Sequence, residues 1–281
     1  MKNQSKVLLF GTCLAVAGML MTPARGMAQV ETLTDDGSTA IVNLGGGPGL
    51  VGMNTWEVAP GGNIQNELDQ QWFWISINGG AVESIDQISA ATINLQTLNF
   101  LDVSYTSGSV KVDVQYNLNG GGVNSGSADI GENVTVYNIG SPASSFNVNL
   151  FEYSNFNLLQ NNANSIQIFG SPNNYSEAYQ NTGSTALAEG IIEPDANNAE
   201  AGLFNTTLAD VEAGTLNGNL SAGPGDVAWA FEWSATVDGG SNFPVLKDKE
   251  LSVSMVPEPS SVALIGLGLG AVGFFRRRKA S

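Results

Sequence analysis

The sequence predicts an all-β protein: an antiparallel β-sandwich, with a jelly roll among the topologies it admits, set between two short apolar ends. Three observations predict it. In residues 110–118, Val110, Val112, Val114, Tyr116 and Leu118 alternate with Lys111, Asp113, Gln115 and Asn117. That is a period of two, with one face buried and one wet. In residues 227–237, Val227, Trp229, Phe231, Trp233, Ala235 and Val237 share a face in the same way. Between such runs the chain is rich in Asn and Gly (34 Gly in 281 residues), residues that tolerate positive φ and favour turns.

Taken in order, the chain opens with Lys2 and Lys6, an apolar run from Val7 to about residue 21, then Pro23 and Gly26-Met27-Ala28. This reads as a secretory signal peptide over 1–28, with Gly26 and Ala28 at the cleavage site, so signal peptidase and the Sec export machinery are expected partners. Cys13 is the only cysteine and lies in that segment. The mature chain then has no disulfide, no thiol nucleophile and no thiolate zinc site. Histidine is absent altogether, which excludes a Ser-His-Asp triad and imidazole-bound metals.

A single body is expected over 29–255, long enough for one sizeable core. Counted through Val256, it holds three cations (Lys111, Lys247, Lys249) against 25 acids, a net charge of −22. Such a surface does not bind nucleic-acid phosphates. It is repelled by anionic lipid or polysaccharide unless divalent cations bridge the two, and plain solubility explains it equally well.

Strands are expected at 40–44, 72–77, 93–105, 110–118, 133–139, 146–153, 166–169, 227–237 and 251–255, about nine in all. The phase of 93–105 slips at 98–100, suggesting a bulge. Asn119-Gly120-Gly121-Gly122 ends the 110–118 strand as a hairpin-like turn, and Asp238-Gly239-Gly240-Ser241 closes 227–237. Around Gly140-Ser141-Pro142, strands 133–139 and 146–153 are placed to pair as a hairpin. A short helix is expected at 207–213, capped by Thr206 or Thr207 and stopped by Gly214. Residues 176–188 carry an ambiguous pattern, and 183–202, small and acidic, read as a loop.

Candidate functional residues follow from side-chain chemistry. Trp72 and Trp74 share one face of a strand whose other face carries Phe73, Ile75 and Ile77. This fits a central strand buried on both sides. It also fits a platform on which sugar faces stack, with Trp56, beside a polar turn, as its most exposed member. Trp229 and Trp233 fit the core. Glycoside hydrolysis needs two carboxylates; Glu67 with Asp69, Glu83 with Asp86, and Asp210 with Glu212 are candidate pairs, but none sits in an active-site pattern, and the chain is expected not to be an enzyme. Asp35-Asp36-Gly37-Ser38, Asp195-Ala196-Asn197-Asn198 and Asp238-Gly239-Gly240-Ser241-Asn242 are oxygen-rich turns without EF-hand spacing. No metal or other cofactor is expected, with calcium at such turns the remaining alternative. Gly45-Gly46-Gly47-Pro48-Gly49 lacks the Lys-Ser/Thr of a phosphate loop.

The chain closes with Val256-Pro257-Glu258-Pro259, an uncharged run from Val262 to Phe275, and Arg276-Arg277-Arg278-Lys279. The prolines make a stiff extended handle. Fourteen apolar residues reach only about 21 Å as a helix, short of a bilayer core of about 30 Å, and the cations stop translocation. The expected role is a transient transmembrane hold. Pro257-Glu258-Pro259, the Gly-rich apolar run and the cations of residues 276–279 together resemble the PEP-CTERM sorting signal over 256–281. The resemblance implies recognition and cleavage by exosortase, a membrane-embedded transpeptidase-like enzyme of Gram-negative bacteria that make exopolysaccharide. It implies export through the inner membrane to the cell surface or extracellular matrix. Gln71-Trp72-Phe73-Trp74, Phe231-Glu232-Trp233 and Leu246-Lys247-Asp248-Lys249 are similar in layout to other proteins carrying that signal. The function expected is structural or adhesive, in association with exopolysaccharide. The alternatives are a carbohydrate-binding module using exposed tryptophans and a carboxylate-dependent glycoside hydrolase.

Overall fold

A computed structural model describes residues 29–46 and 50–254. The expected cleavage residues Gly26 and Ala28, the sorting residues Pro257, Glu258 and Pro259, and the stop residues Arg276, Arg277, Arg278 and Lys279 lie outside the described residues.

The strands in chain order are β1 (Val30–Asp35), β2 (Ser38–Asn43), β3 (Gly52–Val58), β4 (Gln65–Asn66), β5 (Leu68–Ile77), β6 (Glu83–Ser84), β7 (Thr92–Gln96), β8 (Phe100–Ser107) and β9 (Val110–Gly120). There follow β10 (Ser127–Asn138), β11 (Ser145–Phe156), β12 (Asn164–Ser171), β13 (Asn174–Thr182), β14 (Thr185–Glu193) and β15 (Asn198–Leu203). Helix α1 (Phe204–Ala213) precedes β16 (Ser221–Gly225), β17 (Val227–Asp238) and β18 (Asn242–Ser252). They form two antiparallel sheets, ordered β1-β2-β3-β5-β11-β17-β15 (with β4 on β3 and β6 on β5) and β16-β12-β13-β14-β18-β10-β9-β8-β7. The expected antiparallel sandwich is present. Each sheet has nine strands, so it is larger than an eight-stranded jelly roll.

Several local expectations are corrected. The phase slip in 93–105 is a reversal rather than a bulge: Thr97 N–H bonds the Phe100 carbonyl at 2.8 Å and β7 pairs back on β8. The strands around Gly140 do not pair with each other. Instead β10 joins β9 and β18 in one sheet, and β11 joins β5 and β17 in the other. The reason lies in β11, where Phe151 and Tyr153 are as buried as Leu150 and Phe156. Both of its faces are covered, which only a central position supplies. Residues 176–188 are the hairpin of β13 and β14, and the expected loop 183–202 is largely strand. There Gln180, Thr182, Thr185, Glu189 and Glu200 are buried among Ala178, Leu187 and Ile191, so polar residues interrupt the apolar alternation. Helix α1 starts three residues before the expected span, and Leu203 caps it without a side-chain bond. Gly214 stops it as expected, at φ +69, where a Cβ would be strained.

The core between the sheets is aromatic. Trp72, Trp229 and Trp233 are fully buried, and the Phe156 ring stacks on Trp229 at 5.5 Å. Helix α1 lies against β17, β11 and β15. Among the described residues no helix is long and apolar enough to cross a membrane.

Candidate functional site

Strand β18 is central in its sheet and alternates strictly. Val245, Lys247, Lys249 and Leu251 face the interior, while Asp248 and Glu250 face out. The alternation therefore sends two lysines into the core. Three glutamates meet them there. Glu132 on β10 pairs directly with Lys247, Glu189 on β14 pairs with Lys249, and Glu152 reaches across from β11 of the facing sheet. All five side chains are completely shielded from solvent.

The contacts converge on three oxygens. Lys249 Nζ lies 3.2 Å from Glu132 Oε2, 2.7 Å from Glu152 Oε1 and 3.0 Å from Glu189 Oε1. Lys247 Nζ lies 2.5 Å from Glu152 Oε1 and 3.3 Å from Glu189 Oε1, and also donates to Glu132 Oε2. Gln71 Nε2 donates to Glu132 Oε2 at 3.3 Å and to Glu152 Oε1 at 3.1 Å. Glu189 Oε2 accepts the Trp229 indole N–H at 2.6 Å, and the Phe73 ring lies 4.8 Å from Lys247 Nζ.

Three acids against two ammonium groups would leave one uncompensated negative charge in a dry core, which is prohibitively costly. The cluster resolves this through one proton. Burial, with the Glu152 charge beside it, pushes Glu189 up to about 7. Burial alone would also raise Glu152, but Lys247 and Lys249 outweigh it and hold Glu152 below the usual carboxylate range. Burial would lower Lys249, yet Glu132, Glu152 and Glu189 keep it well above its ordinary value. A proton held on Glu189 leaves the two lysines matched by the two other acids. Glu132 Oε1, Glu152 Oε2 and Gln71 Oε1 are buried and have no partner.

Of the two readings of Trp72 and Trp74, burial in a central strand is the one found. Trp56, expected to be the most exposed, is fully buried; its indole N–H bonds Ser38 Oγ at 3.1 Å and its ring meets Phe156 edge-on. Trp72 donates to Ser84 Oγ at 2.9 Å and packs edge-on against Tyr105. Small residues beside each of them, Ser38 and Ser84, supply the polar partner that lets an indole be sealed. Trp74 alone keeps an edge at the surface, 6% exposed, in an open cleft of about 500 Å³ that it lines with Val82, Glu83, Ser84, Gln87 and Glu212. That cleft brings together Glu83 and Glu212, which the sequence assigns to different carboxylate pairs. Glu67 is buried by itself, its Oε2 accepting the Leu159 N–H at 2.5 Å, and burial raises its carboxyl.

Two of the oxygen-rich turns spend a side-chain oxygen internally. Asp35 Oδ2 accepts the Gly120 N–H at 2.8 Å, and Asn197 Oδ1 accepts the Ser234 N–H at 2.7 Å. Among the described residues no group of three or more acidic, His or Cys side chains is placed to hold a metal ion.

The charge cluster escapes a reading by motif, because its members are scattered over 118 positions, from 132 to 249. One signal was available. Lys247 and Lys249 are two of the body's three cations, and they occupy the same phase of a strand as Leu251.

Comparison with known proteins adds a motif and a fold. Residues 256–279 match the model of the PEP-CTERM protein-sorting motif. No curated protein matches the chain in sequence. A bacterial glucoamylase complexed with acarbose is similar in structure, with 12% identity and a TM-score of 0.52 over 86% of this chain and 36% of that one. The chain thus spans little more than a third of that enzyme. A protein of Escherichia coli K12 described as an aldose 1-epimerase is similar over 82% of this chain and 100% of its own, with 9% identity and a TM-score of 0.50. At such identities the likeness shows the fold alone. The sorting motif marks the chain for export, exosortase processing and a surface or extracellular destination.

Proposed function

We propose that this chain is a structural or adhesive surface protein of a Gram-negative bacterium, passed through the inner membrane and associated with exopolysaccharide after exosortase trims it. The observation that carries the reading is the junction of body and motif. Strand β18 ends at Ser252, and the sorting motif begins at residue 256. The processing handle is therefore tethered within a few residues to a central strand of one sheet. A rigid body delivered on a cleavable tail suits a matrix component, and its sealed charges leave an acidic exterior that meets anionic polysaccharide through divalent cations.

The test follows the full chain in cells. Deletion of residues 257–259 is expected to retain the protein in the membrane with its arginine tail intact. Secretion of a correctly trimmed product from that variant defeats the exosortase reading. A glycan screen on the processed protein, with and without calcium, addresses the polysaccharide association. Calcium-dependent binding is expected, and no binding in either condition defeats it.

A second reading has its own observation. The Trp74 cleft sets an indole edge beside Glu83, Gln87 and Glu212, a mixture suited to a sugar, and the fold is one that sugar-active enzymes also use. In this reading the body binds carbohydrate without turning it over. Glycan binding lost in W74A and E212Q supports it; hydrolysis lost in E83Q and E212Q makes the cleft a glycosidase instead.

A further inference from the structure

We propose that the sealed cluster is a maturation site, at which Lys249 and Glu189 condense to an intramolecular amide that cross-links β18 to β14. The sandwich holds an amine and an acid in contact, dry and with proton carriers on both sides, and this is what an uncatalysed condensation lacks in water.

The geometry assigns the parts. Lys249 Nζ is 3.0 Å from Glu189 Oε1 and 3.2 Å from Glu132 Oε2. The Lys249 ammonium gives one proton to the Glu132 carboxylate. The freed Nζ lone pair attacks Cδ of the Glu189 carboxylic acid and the Nζ–Cδ bond forms. Negative charge develops on Glu189 Oε2, where the Trp229 indole N–H, at 2.6 Å, already points. The Cδ–Oε1 bond then breaks, and Oε1 leaves as water with the acid's own proton and one proton from Nζ. Ammonium, acid and carboxylate become amide, water and a protonated Glu132, so atoms and charge balance without an outside reactant.

Two features favour the step. Charges buried in the core fall from four to two, because Lys247 alone then faces one remaining carboxylate, and each buried ion removed relieves a desolvation penalty. Glu132 Oε1, Glu152 Oε2 and Gln71 Oε1 are buried without a partner in the same cluster, so acceptors for a released water are present on its own side chains. Fixed neighbours react with effective concentrations of about 10⁵ M and above, so one slow turnover per molecule suffices.

The test is mass spectrometry on the denatured full-length protein, with its ends defined by peptide mapping. A mass about 18 Da below the sequence value, one water lost, is expected. So is a branched peptide joining the segments that hold Glu189 and Lys249. The deficit is expected to vanish in E189A and in K249A. Because masses are read after denaturation, a poorly folded variant still reports, and the wild-type protein decides by itself. An unmodified wild-type mass overturns the proposal, as does a cross-link mapped to another pair or a deficit that persists in either variant.

Discussion

The two faces of β18 both carry charge, and they treat it in opposite ways. Four charges stand in a row, Lys247, Asp248, Lys249 and Glu250. The lysines turn inward to three glutamates and are wholly buried. The acids turn outward, beside Asp129 of β10, and remain in contact with water. Inside, opposite charges are in contact and one proton trims the excess. Outside, like charges meet: burial and then the Asp129 charge raise Asp248. The same alternation thus makes a strong electrostatic knot on one side and a mild repulsion on the other. The difference is one of dielectric, since charges that interact by about 1 kcal/mol in water interact several-fold more strongly out of it.

The contrast can be broken most sharply from inside. K247M takes countercharge away from the buried glutamates, and we expect unfolding in urea to show a loss of about 3–5 kcal/mol. A loss under 1 kcal/mol would mean that water reaches the cluster. W229F keeps the aromatic packing but removes the indole donor from Glu189, with an expected loss of about 1–2 kcal/mol by the same measurement.

Glu67 sharpens the comparison, because it is a buried carboxylate without a lysine. Its Oε1 has no partner, and burial raises its carboxyl although the Leu159 N–H opposes the shift. The folded chain therefore holds a proton that the unfolded chain releases. Its contribution is present at pH values below the unfolded pKa and is lost as pH rises through the raised folded value. E67Q cannot ionise, so its melting temperature is expected to fall less than that of the wild type between pH 4.5 and 8, with a gain of about 1 kcal/mol at the upper end. A parallel fall in both proteins would show that Glu67 is solvated. The smallest effect belongs to the outer face. D248N removes one of the crowded acids and is expected to change stability by no more than about 0.5 kcal/mol, towards gain. A large loss there would place Asp248 in an interaction that its half-buried, outward position does not show.

How much of this was legible depended on which face of each strand carried the apolar residues. Strands β9 and β17 were readable because Val112, Val114, Trp229 and Phe231 mark their inner faces. Strands β14 and β15 were not, because Glu189 and Glu200 sit where an apolar residue is expected. The helix stop at Gly214 was readable from chemistry local to one residue. The separation of β10 and β11 into different sheets was not, because it depends on β18, β5 and β17, which are distant in the chain. Trp56 misled for a similar reason: its polar sequence neighbours lie along the strand, while Ser38 and Phe156, which enclose it, come from elsewhere.

By itself the sequence determined the strand period, the acidic balance, the lack of histidine and the tripartite tail, since each is a property of residues near one another in the chain. Only the tertiary structure decided that the two lysines beside that tail are interior groups held by three distant glutamates. Which charges share a dry space is settled by how the sheets stack, and stacking is a relation between strands that no single stretch of sequence contains.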